Sequence, residues 1–348
     1  MAPPRFSKDA RFSKDARFSK DARGSKGARC RDAAPDSRSR IQAGRQRRNA
    51  HGDVVAWEDR AMSATAADSG TATASGPPAV ADIVAALDTA YPRELAESWD
   101  AVGLVCGDPA ERADRVLVCV DPVAATVEEA LDLGAQLIVA HHPLMLRGVH
   151  GVPADTAKGS LVHRMIREGV ALFCAHTNAD AAAPGVSDAL AVAIGLDVER
   201  PLVPHADGAH TGLGRIAVLP EPEPFAAFVE RVGAALPATA PGVHGAGEAD
   251  RPIRTVAVSG GAGDGFLDTA TAAGVDAYVT ADLRHHPAGE HLEQPGTVPA
   301  LVGLTHWASE WPWCGQAAEV IREAGNVEVH VSTRCTDPWN VRANGSTK

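Results

Sequence analysis

The sequence predicts an α/β fold in about two lobes. Three observations carry this expectation. Short β-branched runs alternate with segments of helical periodicity. The alternation restarts near Leu213. Histidines and carboxylates follow directly on the ends of the runs, where open α/β sheets hold their ligands.

The elements follow in order. From Val80, "VADIVAALDTAYP" has the spacing of an amphipathic helix, and "RVLVCVD" reads as a strand. "ATVEEALDLGA" is helical, "QLIVA" a buried strand, "LVHRMIREG" a helix and "ALFCAHTNAD" a strand that runs into polar residues. The second set comprises the strand "GRIAVLP", the helix "EPFAAFVERVGAAL", the strand "IRTVAVSG", the helix "FLDTATAAGV" and the strands "DAYVTAD" and "ALVGLTH". A helix through "GQAAEVIREAG" and a last strand "VEVHVS" close the chain, and Gly-, Pro- and Ala-rich residues 233–252 read as a long exposed loop. The expected organisation is a tail over 1–77, a first lobe over 78–200, a second over 201–299 and a closing segment over 300–348.

The tail stands apart by composition. Three copies of "RFSKDA" span Arg5 to Ala22, and a stretch rich in Arg, Ser, Gly and Asp follows. Such a segment buries too little apolar surface to offset its chain entropy and is expected to be disordered. Residues 1–61 hold 16 Lys and Arg against 8 Asp and Glu, whereas the rest of the chain holds 17 against 36. Interleaved Asp residues argue against both a nucleic-acid arm and a mitochondrial presequence. The expectation is that translation begins at Met62, leaving "MSATAADSGTATASGP" as a leader.

The acidic body argues against a nucleic-acid partner, which would need clustered Lys and Arg; after residue 61 only Lys158 and Lys348 are lysines. Neither a membrane-spanning apolar stretch nor a secretory signal is present, so the expected location is the cytoplasm. Cys30, Cys106, Cys119, Cys174, Cys314 and Cys335 are scattered singly, without a C-x-x-C pair, and read as reduced side chains, not as zinc ligands.

The chemistry-bearing residues gather at strand ends. His141 and His142 follow "QLIVA", His176 and Asp180 follow "ALFCA", Asp282 follows "DAYVT", and His306 and Glu310 follow "LVGLT". Adjacent residues on a strand point to opposite faces, so two neighbouring imidazoles can serve two partners. His306 and Glu310, four apart, share one face of a helical turn. This nitrogen and oxygen set suits zinc, iron or manganese. Asp282, His285 and His286 share a rim from which they can orient a small-molecule substrate or carry protons, with plain solvent-exposed histidines as the alternative. "SGGAGDG" (259–265) reads as a tight turn, with a phosphate cradle as the alternative. Trp307, Trp311 and Trp313 crowd Glu310 as a pocket wall, a packed lid or a subunit contact, and Pro312 is placed where a helix can begin. Glu97, Trp99 and Asp100 read as packing. His150, His163, His205, His210, His244, His291 and His330 read as structural or surface residues. No Ser-His-Asp or Cys-His order stands out.

The stretches "ESWDAVGLVCGDP", "LIVAHHPLMLRGV", "HTNADAAAPGVSDALA", "VAVSGGAGD", "YVTADLRHHPAGEH" and "THWASEWPWCGQAA" together resemble the Nif-three-like family of dinuclear-metal proteins, whose members carry the label GTP cyclohydrolase type-two homologue. The resemblance runs from about residue 80 to about 340, with no room for the extra central domain of some members. It implies a two-lobed fold of mixed sheets flanked by helices. It places His141, His142, Asp180, His306 and Glu310 on the metal ligands of two divalent ions, with Glu310 bridging and one of the adjacent histidines going to each ion. His176 becomes a sixth ligand or a partner of one. Ala101, Ala281, Thr305 and Trp307 depart from the family pattern without removing a ligand.

The implied activity is metal-dependent hydrolysis, with a pair of ions about 3.5 to 4 Å apart activating water. The label specifies opening of the guanine ring of GTP with formate release. The alternatives are a two-metal phosphoesterase acting on nucleotides and a non-enzymatic metal-binding or regulatory protein. A ring-shaped homo-oligomer, a hexamer, is also implied by the resemblance.

Overall fold

The computed structural model describes residues 76–343. The expectations for the tail and for a start at Met62 fall almost wholly on residues 1–75, outside the described part.

The described residues form two sheets. The first has the order β1 (Gly103–Cys106), β4 (Ala171–Cys174), β3 (Leu137–Ala140), β2 (Arg115–Cys119), β11 (Glu328–Val331). Strands β4, β3, β2 and β11 are parallel, and β1 closes one edge antiparallel to β4. Every residue of β3 and β4 is buried, which is why both read as unbroken apolar runs and not as alternating ones. The crossovers are α2 (Ala124–Leu133), between β2 and β3, and α3 (Ala157–Arg167), between β3 and β4. Ahead of them, α1 (Val80–Ala90) buries Val80, Ile83 and Leu87, spaced one face apart.

The second sheet has the order β5 (Asp197–Pro204), β6 (Gly212–Pro224), β8 (Pro252–Ala262), β9 (Ala277–Ala281), β10 (Ala300–Leu304), β7 (His244–Ala246). Strands β8, β9 and β10 run parallel, linked through α7 (Leu267–Ala273) and α8 (His285–Leu292), and the outer pairs are antiparallel. Mixed sheets with flanking helices are therefore what the chain forms. α4 (Thr177–Ala181) and α5 (Val186–Ala193) lead from the first sheet to the second, and α6 (Phe225–Ala235) follows β6.

The helix α9 (His306–Glu323) joins the two halves. It leaves β10 of the second sheet, packs against α1, α5, β2, β8 and β11, and hands the chain back to β11 in the first sheet. Its buried side chains Trp313, Cys314, Ala317, Ala318 and Ile321 belong to the same core as Val116, Val118, Leu137 and Phe173.

Three local expectations are corrected. Residues 233–252 are not one loop: α6 continues to Ala235, and β7 pairs with β10 through its backbone. The three residues His-Gly-Ala carry no apolar alternation that would mark a strand. Pro312 does not open a helix, because α9 already starts at His306 and the proline lies inside it. The tertiary packing of α9 outweighs the loss of one backbone hydrogen bond. Within "SGGAGDG", residues 259–262 complete β8 and only the remainder turns into the next helix.

Candidate metal centre

The carboxyl ends of β2, β3 and β4, with the last residues of β8 and the first turn of α9, meet at one place. β3 delivers His141 and His142, β4 delivers His176 and then Asp180 on α4, and α9 delivers His306 and Glu310. Ligand atoms of His141, His142 and His176 lie within 4.8 Å of one another, as do those of His142, His306 and Glu310. The residues singled out as metal ligands, together with His176, are thus neighbours in space.

Each imidazole is pinned from behind by an acceptor. Nδ1 of His141 lies 2.9 Å from the carbonyl of Ala175, and Nδ1 of His142 lies 2.7 Å from Oδ1 of Asp121. Nδ1 of His176 meets Oδ1 of Asp100 at 2.9 Å, and Nδ1 of His306 meets Oδ2 of Asp282 at 2.7 Å. Carbonyl and carboxylate oxygens only accept, so Nδ1 is the protonated nitrogen in all four rings. Nε2 is then left to face the centre, the arrangement that fixes the tautomer of a ligating histidine. Asp100 is itself held, accepting the backbone N–H of Thr177 at 3.0 Å and the Thr177 hydroxyl.

Glu310 stands opposite these nitrogens, almost fully buried. Its Oε1 lies 3.0 Å from Nε2 of His306 and 3.5 Å from Nε2 of His141, and its Oε2 lies 3.0 Å from Nε2 of His142. Asp180 adds a second carboxylate, with Oδ1 3.8 Å from Nε2 of His141. Nε2 of His141 and Oε2 of Glu310 are buried without a hydrogen bond. In a neutral ring with Nδ1 protonated, Nε2 carries a lone pair. Several lone pairs directed at a carboxylate repel one another unless a cation, proton or metal, lies between them.

The titration behaviour expresses the same demand. Burial works against a charged ring at His142, but Glu310 and Asp121 overcome it and push this histidine up to about 11. For His306, burial is likewise outweighed by Glu310 and Asp282, raising it to about 9. Burial would raise Glu310, yet His142 and His141 hold it well below the usual carboxylate range. Asp180, farther from its partners, is raised by burial to about 6. The donor set therefore fits a divalent cation: imidazole nitrogens with fixed tautomers and carboxylate oxygens, in a buried place that otherwise has to be charged with protons.

Glycine makes room for Glu310. Gly261 on β8 has φ +68°, and a Cβ there would stand 2.5 Å from Oε1 of Glu310 and 3.4 Å from Nε2 of His306. Its backbone N–H donates to Oγ of Ser309 at 2.9 Å, which ties β8 to the first turn of α9.

Two cavities open on the cluster. One of about 700 Å³ is bordered by His142, His306, Asp121 and Asp282, and one of about 310 Å³ by His176, Asp180, Glu310 and Trp99. Asp282, expected at the substrate rim, borders the larger cavity and also pins His306; it is a non-glycine residue with φ 55°. His285 and His286 open α8 as exposed residues with ring centroids 5.1 Å apart, and neither borders these two cavities. Of the tryptophans, Trp307 walls the larger cavity, Trp311 donates Nε1–H to the carbonyl of Ser332 at 2.8 Å, and Trp313 is buried 5.2 Å from the His141 ring.

Sequence reasoning missed Asp121, whose signal was its place just past the strand "RVLVC", like the other site residues. It also read Asp100 as packing, although Asp100 holds His176. His244, read as structural or surface, borders the larger cavity from β7.

Residues 78–338 match the Duf34/NIF3 (NGG1p interacting factor 3) family model. A Streptomyces coelicolor protein named GTP cyclohydrolase 1 type 2 homolog is 50% identical over 269 residues, covering 75% of this chain and 94% of that protein. A Mycobacterium tuberculosis protein of the same name is 42% identical, covering 75% and 97%. Among solved structures, a Staphylococcus aureus protein superposes with TM-score 0.67 at 26% identity, covering 76% of this chain and all of that one. A Bacillus cereus protein related to NIF3 shares the fold, with TM-score 0.68 at 24% identity over 77% of this chain. The order of elements, the clustered histidines and these likenesses agree: the chain belongs to the Duf34/NIF3 family.

Proposed function

We propose that the protein is a dinuclear metal-dependent hydrolase. His141, His142, Asp180, His306 and Glu310 would hold two divalent ions of the zinc, iron or manganese class, with Glu310 shared and His176 as a sixth ligand or close partner. The observation that carries this reading is the set of four imidazoles, each pinned at Nδ1, three of which direct Nε2 at one buried carboxylate. Bound there, paired metals supply Lewis acidity and an activated water at neutral pH.

The chain's own residues do the rest. Asp121, Asp100, Asp282 and the Ala175 carbonyl keep each Nε2 free of its proton and aimed inward. Trp313, packed on His141, excludes water from that side. Asp282, at the border of the larger cavity, is placed to accept a proton from a substrate.

The name borne by the relatives supports a more specific proposal: the bond attacked lies in the guanine ring of GTP, with formate as one product. A nucleotide screen on metal-loaded protein, reading formate and phosphate separately, tests it. Formate release that disappears in E310A at unchanged folding supports the ring-opening reaction. Phosphate release alone would make the protein a two-metal phosphoesterase. Metal without turnover on any nucleotide would leave a metal-binding or regulatory role. The homohexamer implied by the resemblance is part of the same proposal, and sedimentation of the full chain tests it.

A further inference from the structure

The carboxylates that pin the histidines are not all held alike. Asp100 accepts the backbone N–H and the hydroxyl of Thr177 besides its bond to His176. Asp282, 53% exposed, has no hydrogen bond other than that to His306 among the described residues. Asp121 resembles Asp100: Oδ1 pins His142 at 2.7 Å, and Oδ2 accepts the hydroxyl of Thr336, 215 positions further along the chain. A carboxylate bonded through one oxygen can pivot about its terminal torsion, which is soft, and a second bond at the other oxygen removes that freedom.

Thr336 reaches the centre by the same route as the candidate ligands. β11 runs parallel to β2 with Val331 opposite Val118, so both strands end at the edge of the first sheet where β3 delivers His141 and His142 and β4 delivers His176. The residues that follow β11 are tied down at that edge. Ser332 donates its backbone N–H to the carbonyl of Val118 at 2.8 Å and its hydroxyl to Glu129 on α2 at 2.6 Å, and its carbonyl accepts Nε1–H of Trp311 on α9. Arg334 pairs with the same Glu129 at 3.1 Å. Thr336 comes next but one, half-buried, on the border of the larger cavity beside Asp121 and His142.

We propose that Thr336 is a positioning residue of the metal centre. Its hydroxyl holds the Asp121 carboxylate in the plane that keeps Nε2 of His142 aimed at Glu310, which makes the segment after β11 part of the site. Thr336 then bears on the ion that His142 holds and not on the ion that His141 holds. That assignment of one histidine to each ion rests on the function proposed above; the hold on Asp121 does not.

Three variants test this. T336V removes the hydroxyl with little change of shape, T336S keeps it, and T333V alters an exposed threonine of the same segment. In competition against a chelator, T336V should release one of two ions about three- to tenfold more readily, a part of the 10- to 100-fold expected where a direct partner of a ligating histidine is lost. T336S and T333V should hold both ions as the parent does. Crystal structures of the metal-free variants give a readout that needs no ion: the Asp121 carboxylate should take more than one orientation in T336V and a single one in T336S. A single orientation in T336V, parental metal affinity in T336V, or T336S behaving as T336V would each overturn the proposal. Both ions weakening alike, with Asp121 loosened in T336V alone, would uphold the hold on Asp121 and refute one histidine for each ion. The same structural contrast in a parent that binds no metal would uphold the hold and refute the hydrolase. Two bound ions and turnover, all indifferent to Thr336, would do the reverse.

Discussion

Replacing Gly261 by alanine perturbs the centre through a single methyl group. The residue has φ +68°, so any side chain costs about 1 to 2 kcal/mol in backbone conformation alone. The new Cβ would also lie 2.5 Å from Oε1 of Glu310, and ordinary contact begins at 3.4 Å. The carboxylate must retreat by about 0.9 Å, beyond the roughly 0.5 Å that a functional constellation tolerates. Gly274, the C-cap of α7, is a matched control, with φ +69° and nothing within 4 Å of its Cβ position. Both alanine variants should lose similar stability in denaturant unfolding, but only G261A should lose metal affinity, by about tenfold to a hundredfold. Competition against a chromogenic chelator measures this. Parental metal affinity in G261A, or an equal loss in G274A, would refute the reasoning.

Other perturbations act on different layers of the same site. D121N removes the charge that pins His142 and should weaken metal binding by about 10- to 100-fold in the same chelator competition. R215M should destabilise by about 3 to 5 kcal/mol in urea unfolding, because buried Arg215 pairs with Asp188 at 2.7 Å and bonds the carbonyls of Gly212 and Gly214. The metal-free protein should lose stability as pH rises. His142 and His306 have folded values of about 11 and about 9, above their unfolded value, so their contribution is complete below about 6.5 and fades through 9 to 11. Over that range the metal-loaded protein should hold its stability, since deprotonated imidazoles favour metal; melting curves from pH 6 to 10 with and without metal check the contrast.

The parallel core of the first lobe was legible because β3 and β4 are buried along their whole length, and β2 from Val116 on, so that these stretches must be apolar. The two histidines that end β3 were legible for the complementary reason: nothing in a core requires them. His306 and Glu310 could be paired because helical spacing places them on one face, as α9 shows. The residues behind the histidines were harder to read. Asp100 and Asp121 look like ordinary strand-end or turn carboxylates, and only the folded chain brings them to His176 and His142, 76 and 21 positions away. β7 was invisible because an edge strand of three residues is held by backbone bonds and needs no side-chain pattern. The glycines at 260 and 261 read as a turn, since a close approach to a carboxylate on a distant helix leaves the same local signature as a tight bend.

Anomalous diffraction from crystals grown with a single transition metal, collected on both sides of its absorption edge, tests the central claim most directly. Two peaks about 3.5 to 4 Å apart are expected, with Glu310 between them and Nε2 of His141, His142 and His306 as ligands. Absence of any peak at this cluster, or imidazoles bound through Nδ1 with Asp121 and Asp282 turned away, would contradict it.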